Sequence, residues 1–300
     1  MTDDRIPMPF HPGELRAQAL AGVETFAAPI RNRMPDQHRT FFPLLSHLAV
    51  AVADDEGWPL ATFVQGPPGF ASSPDPARLD VSALPAADDP ARLHLVAGTA
   101  VGMLGIDLGT RRRNRLNGVV AALGEGGFAV DVVQSFGNCP RYIHVRALVP
   151  VERTPGPVTA FGADLPQRAR AMLAASTTLF VASSSGADAH GAARGLDISH
   201  RGGPAGFARL DGNVLTVPDY AGNRYFNTLG NVVSEPRAAI VLADFASGDV
   251  LQLQGIVDVD WTAAELERAP PVERVWRFTI VRGWLRPGAF GLAEQAGETG

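Results

Sequence analysis

Short stretches of apolar or alternating residues, each closed by glycine, proline or charged residues, recur along the whole chain. Such stretches, bounded by turn signals, are typical of β-strands. In the first half they predict strands at residues 48–54, 100–108, 114–123 and 127–136. In the second half they predict strands at residues 178–185, 238–245, 250–259 and 275–285, and a hairpin of residues 206–210 and 214–218.

Helical spacing is confined to a few segments. It predicts helices at residues 10–22, 37–48 and 166–176, and a short polar helix at residues 224–232. Helical segments are therefore few, and Gly 32 and Pro 24 fit strands joined by turns. We expect a mainly β fold, with β-barrels of Greek-key type and flanking helices.

The two halves repeat one pattern at a constant offset. Residues 65–70 (QGPPGF) precede residues 202–207 (GGPAGF) by 137 positions, and the same offset superimposes residues 105–118 on residues 242–255. It aligns Asp107 with Asp244 and Gly118 with Gly255. Two generic hairpins with similar turns would share part of this pattern, but a common offset favours an internal duplication.

Residues 151–159 (VERTPGPVT) have the composition of a linker. They predict an N-terminal barrel domain at residues 1–150, which includes the leading helices. A C-terminal barrel domain at residues 160–290 is expected to carry the ligand site, followed by a flexible tail at residues 291–300.

Composition limits the cellular setting. With 46% hydrophobic residues the chain can bury a core, and its net charge of −5 gives no attraction to nucleic acid or membranes. No apolar run reaches the roughly 18 residues that span a bilayer. The N-terminus is acidic and proline-rich, unlike a secretory signal. We expect a cytoplasmic protein with no nucleic-acid or membrane partner.

The chain contains no lysine, and its 26 basic residues are all arginine. Schiff-base chemistry and a Walker-type phosphate loop both need a lysine, so both are excluded. The single cysteine, Cys139, excludes an intrachain disulfide and a multi-cysteine metal site. The seven histidines show no metal-binding spacing, so no metal site is predicted.

Residues 197–231 concentrate polar side chains among glycines. The segment holds Ser199, His200, Arg201, Asn223, Arg224 and Asn227. Arginine offers a forked donor to phosphate oxygens, hydroxyl and backbone N–H groups complete such a cradle, and glycine permits close approach. A helix that begins near Asn223 would add N-terminal donors. Clusters of Gly, Asn and Asp also form ordinary turns, so composition alone leaves both interpretations open.

The order of these motifs resembles the FMN-binding core of the pyridoxamine-phosphate-oxidase-like, split-barrel superfamily. SHRGG (residues 199–203), TVPDY (216–220) and GNRYFNTLGN (222–231) match its arginine-bearing strand, next strand and phosphate-binding helix. The subgroup of flavin-nucleotide-binding proteins also carries an FGNCPRY-type motif, here residues 136–142. The similarity extends from about residue 44 to residue 285 and implies two tandem FMN-binding split barrels.

The resemblance implies roles for individual residues. Arg201 matches the strand arginine near the flavin phosphate, and Arg224 a basic phosphate contact flanked by Asn223 and Asn227. Gln252 matches a polar side chain that the following strand offers to the flavin. His200 adjoins Arg201 and is a candidate for a hydrogen bond to phosphate or substrate.

A second basic cluster precedes the third predicted strand of the first half. Arg111, Arg113 and Arg115 alternate and would share one face of a strand. We expect them to contact a phosphate, including one bound by a partner subunit, because FMN sites in this superfamily lie at a dimer interface. A solvated turn with ion pairs is the alternative.

Cys139 follows the fourth predicted strand of the first half, at residues 127–136. A nucleophilic role needs an activating base, and no motif marks one, so a structural role in the wall of the flavin pocket is the better interpretation.

Taken together, the sequence predicts an FMN-dependent oxidoreductase that transfers hydride at flavin N5 to or from a small-molecule substrate. It is expected to be a homodimer with flavin near the interface, and the acidic C-terminal end (AEQAGETG) is compatible with an electron-transfer partner. Oxidation of pyridoxamine phosphate itself is doubtful, because the family's lysine and its closing signature are missing. The alternative from a different class is a flavin- or haem-binding module without turnover, with a histidine as axial ligand to haem.

Overall fold

The chain folds into two antiparallel sheets with the same strand order. The computed structural model describes residues 4–24, 26–186, 189–263 and 270–295. The first sheet has the order β2-β1-β5-β6-β7-β4-β3. Its strands are β1 (His47–Ala53), β2 (Pro59–Gln65), β3 (Ala71–Ser72), β4 (Arg78–Val81), β5 (Ala100–Asp107), β6 (Arg112–Leu123) and β7 (Phe128–Gly137).

After β8 (Leu148–Pro150) and β9 (Thr159–Phe161), the second sheet repeats this path. Its strands are β10 (Thr178–Ser184), β11 (Leu196–Gly202), β12 (Arg209–Asp211), β13 (Val214–Tyr220), β14 (Arg237–Ala243), β15 (Val250–Asp260) and β16 (Val272–Arg286). They lie in the order β11-β10-β14-β15-β16-β13-β12, with β9 added beside β16. Each strand of this path thus takes the place of the strand numbered nine lower in the first sheet, and the mainly β fold in two related halves is confirmed.

Local details of the two halves agree at the predicted offset. The Oδ1 atom of Asp107 accepts the backbone N–H of Gly109 at 2.9 Å, and Asp244 accepts that of Ala246 at the same distance. Gly118 and Gly255 both lie at β-bulges. A Cβ atom would stand 2.2 Å from a backbone oxygen of the facing strand at Gly118, and 2.4 Å at Gly255. The aligned residues therefore meet the same local backbone requirement in each half.

Helices α1 (Pro12–Leu20), α2 (Asp36–Arg39), α3 (Gln167–Ala175) and α4 (Asn227–Ser234) flank the sheets. The helix predicted at residues 37–48 is wrong beyond Arg39: the chain forms a 3₁₀ turn at Phe42–Leu44. Pro43 lies within this turn, and proline cannot donate the hydrogen bond that continues an α-helix.

The C-terminal part also departs from expectation. β17 (Leu292–Glu294) pairs with β8, so these residues are not a flexible tail, and residues 296–300 lie outside the described residues. Among the residues that the structure describes, no helix is both long and apolar enough to cross a membrane.

Each half has its own apolar core, and a third core joins them. The joining core is formed by side chains of β1, β2 and β5 facing side chains of β10, β11 and β14. At its centre the rings of Phe63 and Phe180 meet edge to face, with centroids 5.3 Å apart. Burial of this apolar area holds the halves face to face, and the site described next opens along their boundary.

Candidate functional site

A cleft opens where the first half meets the second. It lies between the start of β6 and the loop after β7 on one side, and β11, the loop after β13 and the first turn of α4 on the other. The space between its walls is about 870 Å³, a figure that includes open solvent. Eight of the ten residues predicted from sequence line it: Arg113, Arg115, Ser199, His200, Arg201, Asn223, Arg224 and Asn227.

Arg115 is neutralised within the protein. Its Nη1 donates to both carboxylate oxygens of Asp197, at 2.9 and 2.7 Å, and to Oδ1 of Asn227 at 3.0 Å. Its Nη2 donates to Oγ of Ser199 at 2.6 Å, and that oxygen also accepts from Thr228. Arg115, Ser199 and Asn227 therefore build the wall of the cleft and hold the two halves in register.

Arg113, two residues earlier, is a cation without a counter-charge. Among the described residues no carboxylate pairs with it; its Nη1 donates to Nδ1 of His200 at 3.0 Å, and its buried Nε has no partner. Burial, together with the nearby Arg115 and Arg201, lowers the pKa of Arg113 to about 9. An anion in the cleft would relieve this cost, because it would supply both charge and a hydrogen-bond acceptor.

The protonation of His200 follows from its neighbour. A guanidinium only donates, so Nδ1 of His200 is an acceptor. Burial, and then Arg113 and Arg201, lower the pKa of His200 well below 6.5, so the ring is neutral and carries its proton on Nε2. This buried Nε2–H has no partner among the described residues. It is a second uncommitted donor in the cleft wall.

Arg201 is only partly compensated. Its Nη2 lies 3.9 Å from Oδ1 of Asp219, and its buried Nε has no partner. Asp219 is bound more closely by Arg274, whose Nη1 donates to it at 2.6 Å while Nη2 donates to Glu273 at 2.9 Å. The carboxylates that line the cleft are thus occupied mainly by Arg274, and burial lowers the pKa of Arg201.

The backbone around the cleft is strained. Tyr142, Arg224 and Phe226 have φ angles of 63°, 61° and 60°, and all three line the cleft. A left-handed conformation costs a non-glycine residue about 1–3 kcal/mol and is concentrated at functional sites. It also corrects the helix predicted at residues 224–232, which begins at Asn227 because Arg224 and Phe226 are not helical.

The loop after β7 approaches β11 very closely at the edge of the cleft. A Cβ atom on Gly202 would stand 2.0 Å from the carbonyl oxygen of Tyr142, so only glycine fits there. This contact brings the FGNCPRY segment to the cleft, where Asn138, Cys139 and Tyr142 are part of the lining.

Two predicted residues are not in the cleft. Arg111 is exposed in the turn before β6, with a φ of 56°, so it does not share a strand face with Arg113 and Arg115. Gln252 is buried on β15, where its Nε2 donates to the carbonyl of Ala61 at 2.9 Å and to Asp89 at 3.1 Å.

Gln252 is in fact the counterpart of Arg115 in the other half. The offset of 137 residues takes Arg115 to Gln252. Thr62 occupies the counterpart of Ser199, since these two residues pair with equivalent positions of β1 and β10. Thr62 and Gln252 both bind Asp89, as Ser199 and Arg115 both bind the start of α4. The residue predicted from sequence is therefore the equivalent position of the other half, outside the cleft.

The equivalent region is closed and lacks the cation cluster. Asp89 is 3% exposed, and it accepts from Arg286 at 2.8 Å as well as from Gln252, both of which are buried. The counterparts of Arg113, His200 and Arg201 are the apolar residues Val250, Phe63 and Val64, respectively. The two halves share a scaffold, and the basic lining belongs to one of the two equivalent positions.

Sequence reasoning missed Glu14, which supports the cleft from behind. Gly13 and Gly230 let α1 contact α4 closely, since a Cβ on Gly230 would stand 2.5 Å from the Cα of Glu14. Glu14 accepts from the side chain of Asn227, which in turn accepts from Arg115. The capping-box spacing of His11 and Glu14 was visible in the sequence, but a contact spanning 213 residues was not.

No family model and no curated protein matches the sequence. Among solved structures, an FAD-binding protein from Mesorhizobium loti shares 12% identity over 43% of this chain and 97% of its own, with a TM-score of 0.30. HupZ from Group A Streptococcus shares 14% identity over 39% of this chain and 89% of its own, also with a TM-score of 0.30. Both matches cover less than half of this chain, so what the cleft binds has to be inferred from its own residues.

Proposed function

We propose that the cleft binds FMN and that the protein is an FMN-dependent oxidoreductase acting on a small-molecule substrate. The observation that carries the proposal is the pair Arg113 and Arg201. Both guanidinium groups line the cleft, neither is fully neutralised by the protein, and each has a buried Nε without a partner. A phosphate monoester is the ligand group that fits such a site, because it accepts several hydrogen bonds and carries about two negative charges.

The unpaired donors of the cleft match a phosphate group in hydrogen bonding as well as in charge, because phosphate oxygens are acceptors. Nε of Arg113, Arg115 and Arg201 and Nε2–H of His200 are all donors without acceptors. Buried polar groups are normally paired, so four unpaired donors on residues that line one cleft support an acceptor bound there. Asn223 contributes differently, because its Oδ1 accepts the backbone N–H of Tyr225 at 3.2 Å and shapes the turn that presents Arg224.

Aromatic side chains provide the apolar surface that a planar ring system needs. The rings of Tyr142 and Tyr220, with centroids 5.0 Å apart, line the cleft, and so does the ring of Phe226 beside Arg274. FMN, when bound, supplies hydride transfer at its N5 atom. The residues of the chain hold the phosphate, bury the ring and keep His200 neutral as a donor.

The named contacts come from a single chain. Arg113 and Arg115 belong to the first half, and they reach the same cleft as His200 and Arg201 of the second. The homodimer and the electron-transfer partner remain proposals, and the cleft described here needs neither to bring its basic residues together.

Haem binding through His200 is less well supported. A histidine that ligates iron does so through an unprotonated nitrogen and donates its other N–H to an acceptor. Here Arg113 donates to Nδ1, which places the proton on Nε2, the nitrogen that would have to bind iron. A phosphate matches the observed tautomer, whereas haem requires the opposite one.

The test is the absorption spectrum and affinity of the purified protein with FMN and with riboflavin. We expect flavin bands, tighter binding of FMN than of riboflavin, and loss of that difference in Arg113→Gln/Arg201→Gln. Arg209→Gln is the matched control, because Arg209 is exposed on β12 outside the cleft. Absence of bound flavin after soaking with FMN, or a Soret band instead, would overturn the proposal.

A further inference from the structure

The cleft carries more positive charge than one phosphate neutralises. Its lining includes six arginines, Arg113, Arg115, Arg141, Arg201, Arg224 and Arg274, and two carboxylates, Asp219 and Glu273. Arg274 is bound to both carboxylates, and Arg115 to Asp197 behind the wall. Four arginines are left for ligands, in a chain whose net charge is −5. A phosphate monoester carries about two negative charges near neutral pH.

These four arginines form two groups. Arg113 and Arg201 are carried by strands β6 and β11 and touch His200. Arg141 and Arg224 are exposed on the loops after β7 and after β13. The outer pair therefore lies at the mouth of the cleft.

The two loops that carry the outer pair are fastened to each other. The hydroxyl of Tyr142 donates to the carbonyl of Ala221 at 3.0 Å, and its ring packs on that of Tyr220. Tyr142 directly follows Arg141, and Ala221 lies three residues before Arg224. The two outer arginines are thus carried by loops that are joined to each other by a hydrogen bond and a ring contact.

No contact within the described residues accounts for an arginine side chain at position 224. Among the described residues no hydrogen bond or ion pair involves its side chain, and its φ of 61° would be met by glycine at lower cost. Arg141 lies against the hydroxyl of Tyr142 and, within the described residues, has no carboxylate partner. Two uncompensated guanidinium groups on a fixed frame attract an anion.

We propose that Arg141 and Arg224 form a second anion position at the mouth of the cleft, which takes a second phosphate group. The proposal rests on the function proposed above, since the inner pair is assigned to the FMN phosphate. The second phosphate has two sources: the distal phosphate of a dinucleotide such as FAD, or a separate phosphorylated substrate beside FMN.

The experiment compares three variants of the full chain: Arg141→Gln/Arg224→Gln, Arg113→Gln, and Arg209→Gln as the control. Affinities for FMN and FAD are measured by titration, and inorganic pyrophosphate is titrated into the FMN-loaded protein while the flavin spectrum is followed. We expect Arg141→Gln/Arg224→Gln to weaken FAD or pyrophosphate by about tenfold or more, and to weaken FMN by much less than Arg113→Gln does. Arg113→Gln should weaken FMN instead.

The outcomes separate the sources. Tighter binding of FAD than FMN, lost in the outer double variant, assigns the position to a dinucleotide. Equal flavin affinities, with pyrophosphate binding to the FMN-loaded protein, assign it to a separate substrate. Equal loss of FMN affinity in the inner and outer variants, or no effect of the outer variant on any anion, would overturn the second position.

Failure of the flavin proposal is recognised separately. If the protein binds no flavin, pyrophosphate is titrated into the ligand-free chain by calorimetry. Loss of pyrophosphate binding in the outer double variant would then uphold the anion position without FMN, and unchanged binding would remove it.

Discussion

Nη1 of Arg115 lies 2.7 Å from Oδ2 of Asp197, across the boundary between the halves, and each side chain is 5% exposed. Removing one partner leaves a buried charge without compensation, which costs about 3–5 kcal/mol. Arg115→Ala should therefore lower the free energy of unfolding in urea by that amount. Arg115→Ala/Asp197→Ala should be less destabilised than the sum of the two single variants; strict additivity would show that the pair is not coupled.

Arg113→Gln should behave in the opposite way. It removes a partly buried cation that Arg115 and Arg201 repel, so the ligand-free variant should melt at the same temperature as the parent or higher. Its affinity for FMN should fall by about tenfold or more, because a charge-assisted hydrogen bond contributes about 1.5–3 kcal/mol. Thermal melts of the ligand-free protein check the first part, and titration with FMN checks the second. A melting temperature lowered as in Arg115→Ala would show that Arg113 is structural.

Glu14 gives the protein a specific pH dependence. Burial raises the pKa of Glu14 from 4.5 to about 8, so the folded state keeps a proton that the unfolded chain releases between these values. The Glu14 contribution to the free energy of unfolding therefore falls by about 1.4 kcal/mol per pH unit as pH rises through this window. Glu14→Gln should lose about 1 kcal/mol for one missing acceptor at low pH.

The measurement for Glu14 is the urea midpoint of parent and variant from pH 5 to 9. The parent should fall more steeply, so the two curves should cross at about pH 5–6 and the variant should be the more stable protein by pH 8, because it has no carboxyl to titrate. Parallel curves would assign the pH dependence to other groups. His38 and His47, for example, have a pKa lowered to about 4 by burial and are unaffected by the substitution.

Binding should saturate at one flavin per chain. The position equivalent to the cleft is closed by Asp89 and Arg286 and lacks the counterparts of Arg113 and Arg201. Gln252→Ala should destabilise the fold, since Gln252 joins β15 to the carbonyl of Ala61, and should leave FMN affinity unchanged. Calorimetry gives the stoichiometry; two equivalents per chain, or weaker binding by the Gln252 variant, would contradict this prediction.

The sequence predicted the strands because their apolar pattern and turn residues are local, and it predicted the duplication because Gly118 and Gly255 meet the same backbone constraint. It misplaced the start of α4, since the left-handed backbone of Arg224 and Phe226 depends on tertiary contacts. Strand alternation was enough to predict most of the residues that line the cleft, but it was not enough to place Gln252. Strand alternation gives the face of a residue, but which half that face meets is decided by the packing of the sheets.

Because the two halves are covalently linked, the cleft differs from a dimer interface in its response to dilution and to substitution. Because Arg115 and Asp197 belong to one chain, dilution does not separate the walls of the cleft as it separates two subunits. A symmetric dimer must also repeat every substitution at both of its sites. Here Arg115 lies in one half and Gln252 at the equivalent position of the other. One of the two equivalent positions can therefore be purely structural while the other keeps its basic lining.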